Sequence, residues 1–149
     1  SLHRNFMGYT PYDTKLLIGL GVSSISDTGN ALAQNKKTVE EYQERIQQNS
    51  LAITKGHLLS RTYLFLRRII LDTICNLEAT WNEEAKTYAA FNDALHRLED
   101  LQKDGLVEVY PNYLKVTEKG KPFLRNICSC FDEYYWLNII TEKLFSTSI

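Results

Sequence analysis

The 149-residue sequence predicts an α+β fold, mainly helical, on three observations. Four of the seven glycines, Gly8, Gly19, Gly21 and Gly29, fall in the first 29 residues. Such density disfavours a helix by about 1 kcal/mol per glycine and suits strand and loop. From Thr38 onward apolar residues recur at helical spacing. Residues 106–110 and 113–116 are two short β-rich runs joined through Pro111-Asn112, which reads as a hairpin.

The elements follow in order. Thr38 and Glu41 make an S/T-x-x-E capping box, and Val39, Tyr42 and Ile46 continue at helical intervals to about Asn49. A second helix is expected after Ser60 as N-cap, running to about Asn76. Its polar stripe is Arg61, Arg68 and Asp72, so most of its sides are expected to be buried. Asn82 before Glu83-Glu84 reads as the N-cap of a third helix. Its stripe of Phe91, Ala94, Leu95, Leu98 and Leu101 stops at Gly105, the expected C′ residue. After the hairpin a last helix is expected from near Gly120 or Lys121 through Phe131, because Pro122 would clash inside a helix begun earlier. This order is that of a winged-helix unit over roughly 60–131. The expected organisation is a strand segment over 1–35, a connecting helix and loop over 36–59, and a helical winged-helix-like domain over 60–149.

Composition excludes several classes. Hydrophobic residues make up 44% of the chain, too many for a disordered segment, and no apolar run approaches the ~18–20 residues of a membrane span. Seventeen basic against eighteen acidic side chains give no global attraction to polyphosphate. Three cysteines without a C-x2-C pair argue against a disulfide framework and a structural zinc site, and for a reducing, cytoplasmic setting. The start at Ser1, without an initiator Met, is expected to reflect processing or a cut.

No motif builds a self-sufficient catalytic site. Cys128 and Cys130 would point about 200° apart on a helix and cannot chelate together. His3, His57 and His96 are scattered, so no metal ligand set is expected. Gly19-Leu20-Gly21 resembles half a dinucleotide loop, but Ser24 stands where the third glycine belongs and no helix follows. A winged helix invites a nucleic-acid reading. Yet residues 83–104 carry three basic against six acidic side chains, a net charge of -3 that a duplex would repel. Lys115, Lys119, Lys121 and Arg125 form only a mild basic cluster.

Several ordered segments carry a more specific message: residues 2–10 (LHRNFMGYT), 19–26 (GLGVSSIS), Ala33-Gln34-Asn35, Asp104-Gly105-Leu106-Val107, Lys119-Gly120 and Arg125-Asn126-Ile127-Cys128-x-Cys130-Phe131-Asp132. Together they resemble the C-terminal part of oxygen-independent coproporphyrinogen III oxidase, a radical S-adenosylmethionine family, across essentially the whole chain. The resemblance implies that residues 1–35 are the last strand segment or segments of an incomplete β/α barrel. It implies a parent that holds a 4Fe-4S cluster on a C-x3-C-x2-C motif and cleaves S-adenosylmethionine. That parent oxidatively decarboxylates two propionates of coproporphyrinogen III to vinyls, giving protoporphyrinogen IX in anaerobic heme biosynthesis.

The cluster motif is absent here, so the resemblance implies a C-terminal fragment, inactive alone, with no catalytic residue and no bound cofactor of its own. Its partner would be the N-terminal barrel half of the same protein. Apolar strand edges left bare would favour non-native self-association. By resemblance, Phe6 and Ile25 are cofactor-binding positions for S-adenosylmethionine, Ile25 through its backbone. Met7 stands where family members often have Gln. Phe6 and Ile25 are equally ordinary barrel-lining hydrophobes. The competing readings are a winged-helix module binding nucleic acid or protein, and a heme-chaperone-like paralogue of the oxidase. Neither a nucleic-acid nor a membrane partner is expected.

Overall fold

The computed structural model describes residues 2–5 and 7–138. Phe6 and the end of the last expected domain, 139–149, lie outside the described residues. The fold mixes helix and sheet, and the chain divides into two compact units, Ser1–Arg61 and Thr62–Ile149.

The first unit is mainly strand. β1 (His3–Asn5) and β2 (Gly8–Thr10) form an antiparallel hairpin in which Arg4 faces Tyr9. Gly8 turns it at φ +116°, a conformation that costs glycine little. β3 (Ile25–Asp27), β4 (Ala31–Asn35) and β5 (Ile53–Leu58) form a second sheet in that order. Gly29, at φ +83°, makes the β3–β4 turn possible, and its N–H is held by Asp27 Oδ1 at 2.8 Å. α1 (Val39–Gln47) lies between β4 and β5 in the chain. The Thr38 hydroxyl caps it by accepting from the Glu41 N–H at 3.4 Å, and donates to Glu41 Oε2 at 3.1 Å. The carboxylate thus meets the capping hydroxyl.

One expectation is corrected in this unit. Residues 36–59 are not helix and loop only, because β5 pairs with β4 from Ala31↔Leu58 to Asn35↔Ile53. Periodicity missed it because all six β5 residues are exposed. The pairs among β3, β4 and β5 are antiparallel. Among the described residues of this unit only Asp27 and Ala52 are buried, while Leu16, Ile18, Leu20, Leu51 and Leu58 are exposed.

The second unit holds the core. Its elements are α2 (Arg61–Asn76), β6 (Glu78–Thr80), a 3-10 turn (Glu83–Thr87), α3 (Ala89–Lys103), β7 (Val107–Val109), β8 (Tyr113–Val116), a 3-10 turn (Lys121–Phe123) and α4 (Leu124–Ser129). Residues 133–138 are again helical. The sheet order is β6-β8-β7, antiparallel throughout.

Leu66 and Ile69 of α2, Phe91, Ala94 and Leu98 of α3, and Leu114 of β8 meet in one cluster that also takes in Ile127 and Phe131. Phe91 sits at its centre, with ring centroids of Phe65 and Trp81 each at 5.2 Å and Phe131 at 6.2 Å. Buried Thr73 donates its hydroxyl to the Ile69 carbonyl at 2.7 Å, which satisfies it inside the apolar helix.

Gly105, at φ +71°, ends α3 as expected. Its N–H donates to the Gln102 carbonyl and the Leu106 N–H to the Leu101 carbonyl, both at 2.9 Å, a Schellman closure. The third helix is not continuous from Asn82. Tyr88 is extended at φ -87°, ψ 113°, between the 3-10 turn and α3, and Asn82 makes no side-chain cap. Tyr88 instead stacks on Phe65 at 5.4 Å. β6 was not expected. Three residues are too short to show an alternation, and the strand is defined by its pairing with β8.

Candidate functional site

The glycine-rich segment 19–26 wraps the outer edge of β3, and a few side chains set its path. Leu17 and Asp27 exchange backbone hydrogen bonds at 2.8 Å in both directions. Two residues further on, Gly19 comes so close to Ile25 that a Cβ would lie 2.6 Å from the Ile25 carbonyl oxygen and 2.8 Å from its nitrogen. Only glycine allows that approach.

Asn35, the last residue of β4, gathers the loop. Its Nδ2 donates to the carbonyls of Gly19 (3.2 Å) and Gly21 (3.0 Å) and to Ser24 Oγ (3.0 Å). Ser24 Oγ donates in turn to the Gly21 carbonyl at 2.7 Å. The Gly21 N–H reaches the Tyr42 hydroxyl of α1 at 3.2 Å, and the Gly19 N–H donates to Ser26 Oγ at 3.0 Å. Gly21 at φ +95° and Ser23 at φ +61° make the reversal, and the Ser23 N–H is tied to the Lys36 carbonyl at 2.8 Å.

The register settles which way Ile25 presents its peptide groups. The Asn35 N–H donates to the Ser24 carbonyl at 2.9 Å, so Ser24 and Asn35 form a hydrogen-bonded pair. The next pair, Ile25↔Gln34, is therefore non-hydrogen-bonded, and the Ile25 N–H and C=O point away from β4 towards the outer edge.

Of the two expected cofactor positions, Ile25 is half-buried on this edge, and Phe6 lies outside the described residues. Met7 is 86% exposed. Arg4 lies over the Tyr9 ring at 5.6 Å, and Asn5 Oδ1 accepts from the Met7 N–H at 2.8 Å. The sequence marked Gly19 and Gly21 by their density, but no signal gave Asn35, Ser26 or Tyr42 a role. Each is an ordinary polar residue until the fold brings it to the loop.

Elsewhere the geometry is structural. Cys128 Sγ approaches the Ile70 carbonyl at 3.8 Å, whereas Cys130 Sγ faces the Asn126 carbonyl at 3.5 Å. Burial pushes the Cys130 thiol up to about 11, against the opposing pull of Arg97. Among the described residues no three His, Cys, Asp or Glu side chains converge as a metal site, and no helix is long and apolar enough to cross a membrane. α3 exposes Asp93, Glu99 and Asp100, an acidic face unsuited to a phosphate backbone.

Comparison with known proteins agrees with the resemblance. No protein-family model matches the chain. The oxygen-independent coproporphyrinogen III oxidase of Escherichia coli K12 is 39% identical over 140 residues, 89% of this chain and 30% of the relative. That of Synechocystis is 34% identical over 157 aligned residues, covering 99% of this chain and 34% of the relative. The Pseudomonas aeruginosa oxidase is 31% identical over all of this chain and 33% of its own length. Among solved structures, coproporphyrinogen III oxidase from Escherichia coli, described as a radical SAM enzyme, matches with a TM-score of 0.78. It is 36% identical over 89% of this chain and 32% of that structure. The chain spans about a third of the length of the curated relatives it matches. Over 89–100% of its own length, this chain is a homologue of one part of the oxygen-independent coproporphyrinogen III oxidases.

Proposed function

We propose that this chain is the C-terminal part of an oxygen-independent coproporphyrinogen III oxidase. The parent converts two propionates of coproporphyrinogen III to vinyls, yielding protoporphyrinogen IX in cytoplasmic, anaerobic heme biosynthesis. The observation that carries the reading is the near-complete coverage of this chain by oxidases, at 31–39% identity, against only 30–34% coverage of those oxidases. The heme-chaperone-like paralogue and the nucleic-acid module have no comparable support, and the acidic α3 face speaks against the second.

In this reading residues 1–35 are the terminal strand segment of the parent's barrel, 36–59 connect, and 60–149 are the winged-helix-like accessory domain. The helix–strand–helix–hairpin order and the β6-β8-β7 sheet of the second unit support that last assignment. The exposed Leu16, Ile18, Leu20, Leu51 and Leu58 suit a surface that the N-terminal barrel half covers, and a tendency to self-associate without it.

S-adenosylmethionine and a 4Fe-4S cluster, bound by the parent, supply the radical chemistry. This chain holds no reacting group in the reading. By resemblance, Ile25 would meet the cofactor through its backbone, and Phe6 is the other position assigned to it. What the chain contributes is position. Gly19 brings the loop against Ile25, and the half-buried edge limits water around the bound cofactor.

The test is anaerobic reconstitution of the full-length protein and of the 149-residue chain with iron and sulfide, followed by S-adenosylmethionine, coproporphyrinogen III, a one-electron reductant and an electron acceptor. Cluster absorbance and protoporphyrinogen formation are expected from the full-length protein alone. A stoichiometric cluster in the short chain would overturn the reading of it as the part that lacks the cluster.

A further inference from the structure

We propose that Leu16, Ile18 and Leu20 form an apolar docking ridge with Leu20 as its rigid anchor, and that the ridge seats in an apolar groove on the N-terminal barrel half of the parent. The inference rests on the reading of this chain as one part of a longer oxidase. Exposure alternates along the segment: Leu16, Ile18 and Leu20 are 56, 65 and 85% exposed, whereas Leu17 and Gly19 between them are half-buried. The two intervening residues are the ones that meet β3. Leu17 exchanges hydrogen bonds with Asp27, and Gly19 lies across the Ile25 nitrogen and carbonyl. The period of two leaves all three large aliphatic side chains on the side away from β3.

Leu20 is held where it stands. Every peptide group of the two glycines that flank it is taken. The Gly19 N–H donates to Ser26 Oγ and its carbonyl accepts from Asn35 Nδ2. The Gly21 N–H donates to the Tyr42 hydroxyl, and its carbonyl accepts from Asn35 Nδ2 and Ser24 Oγ. A reversal of the chain requires only the positive φ of Gly21 and Ser23. An exposed aliphatic fixed in advance loses little freedom when it is buried, and that is the property of an interface anchor. Two further facts point to the occupant. Among its described residues this unit buries only Asp27 and Ala52, so it lacks an apolar core and needs a cover that every molecule carries. The oxidases that align with the chain extend far beyond the match, which covers 30–34% of them, so the rest of the parent supplies that cover.

The experiment is timed alkylation of Leu20→Cys in the full-length protein and in the 149-residue chain, both dilute, read by peptide mass spectrometry. The thiol at position 20 should react at least about tenfold more slowly in the full-length protein, with protection independent of protein concentration. Adding Asn35→Ala to the full-length variant should restore about threefold of that reactivity, because the anchor is freed while the groove remains. Carbene footprinting of the unsubstituted proteins reads the same difference at Leu16, Ile18 and Leu20, and serves if Leu20→Cys fails to fold. Equal reactivity in the two proteins would overturn the proposal. Protection that appears only as concentration rises would also overturn it, by assigning the ridge to a second copy. An unchanged rate on Asn35→Ala would overturn the anchoring role. Failure of the oxidase reading is separable: a full-length protein that protects position 20 yet forms no protoporphyrinogen refutes the oxidase, whereas an active one with position 20 fully reactive refutes the ridge.

Discussion

Gly120 lies directly against the Leu106 carbonyl, where a Cβ would sit 2.8 Å from the carbonyl carbon and 3.1 Å from Val116 Cγ1. Thr117 locks the same junction. Its N–H donates to the Leu106 carbonyl at 3.1 Å, and its hydroxyl donates to the Gly105 carbonyl at 2.8 Å. The end of α3, the hairpin and the approach to α4 therefore close through a gap only a hydrogen atom fits. Gly120→Ala should cost about 3 kcal/mol, because the obstacle is backbone and cannot rotate aside. Thermal unfolding of the second unit measures it, and a loss under 1 kcal/mol would mean that the junction relaxes easily.

Phe91 is fully buried among three aromatic rings from separate parts of the chain. Phe91→Ala should remove about 3–5 kcal/mol through lost transfer energy and the cavity left behind. Denaturant titration should show a lower midpoint with an unchanged slope.

The two units should differ in protection. Among the described residues the first buries only Asp27 and Ala52, whereas the second buries a continuous cluster. In the isolated chain, amides of 2–35 should exchange faster than those of 60–131, and rising concentration should drive association through the exposed leucines. Equal protection in a demonstrated monomer would contradict this.

These contrasts show what the sequence could reveal. The second unit was legible because it makes its own core: helix spacing, Gly105 and the Pro111-Asn112 turn are local signals that tertiary packing reinforces. The break at Tyr88 was not, since Tyr88 leaves the helix to stack on Phe65, a contact remote in sequence. β5 and β6 were missed because short or wholly exposed strands have no alternation, only partners. At the candidate site the glycines were visible, but the hydrogen-bonding duties of Asn35 and Ser26 exist only once β3 and β4 are in register.

Cys130 should be a poor nucleophile. With its thiol held at about 11 by burial, the thiolate is scarce at pH 8, and labelling should run at least about tenfold slower than at half-buried Cys75. The sign follows from the raised value: reactivity should climb only as the pH approaches 11, unless unfolding intervenes. Mass spectrometry of a timed alkylation resolves the two sites, and equal rates at pH 8 would contradict the burial argument.

The central claim is tested most directly by incubating the full-length protein, reconstituted anaerobically with its cluster, with S-adenosylmethionine, coproporphyrinogen III, a one-electron reductant for the cluster and an electron acceptor, and counting carbon dioxide against substrate consumed. Two carbon dioxide molecules per coproporphyrinogen III, with protoporphyrinogen IX as product, is the expected result. An intact cluster that releases none would contradict the oxidase reading and favour the paralogue.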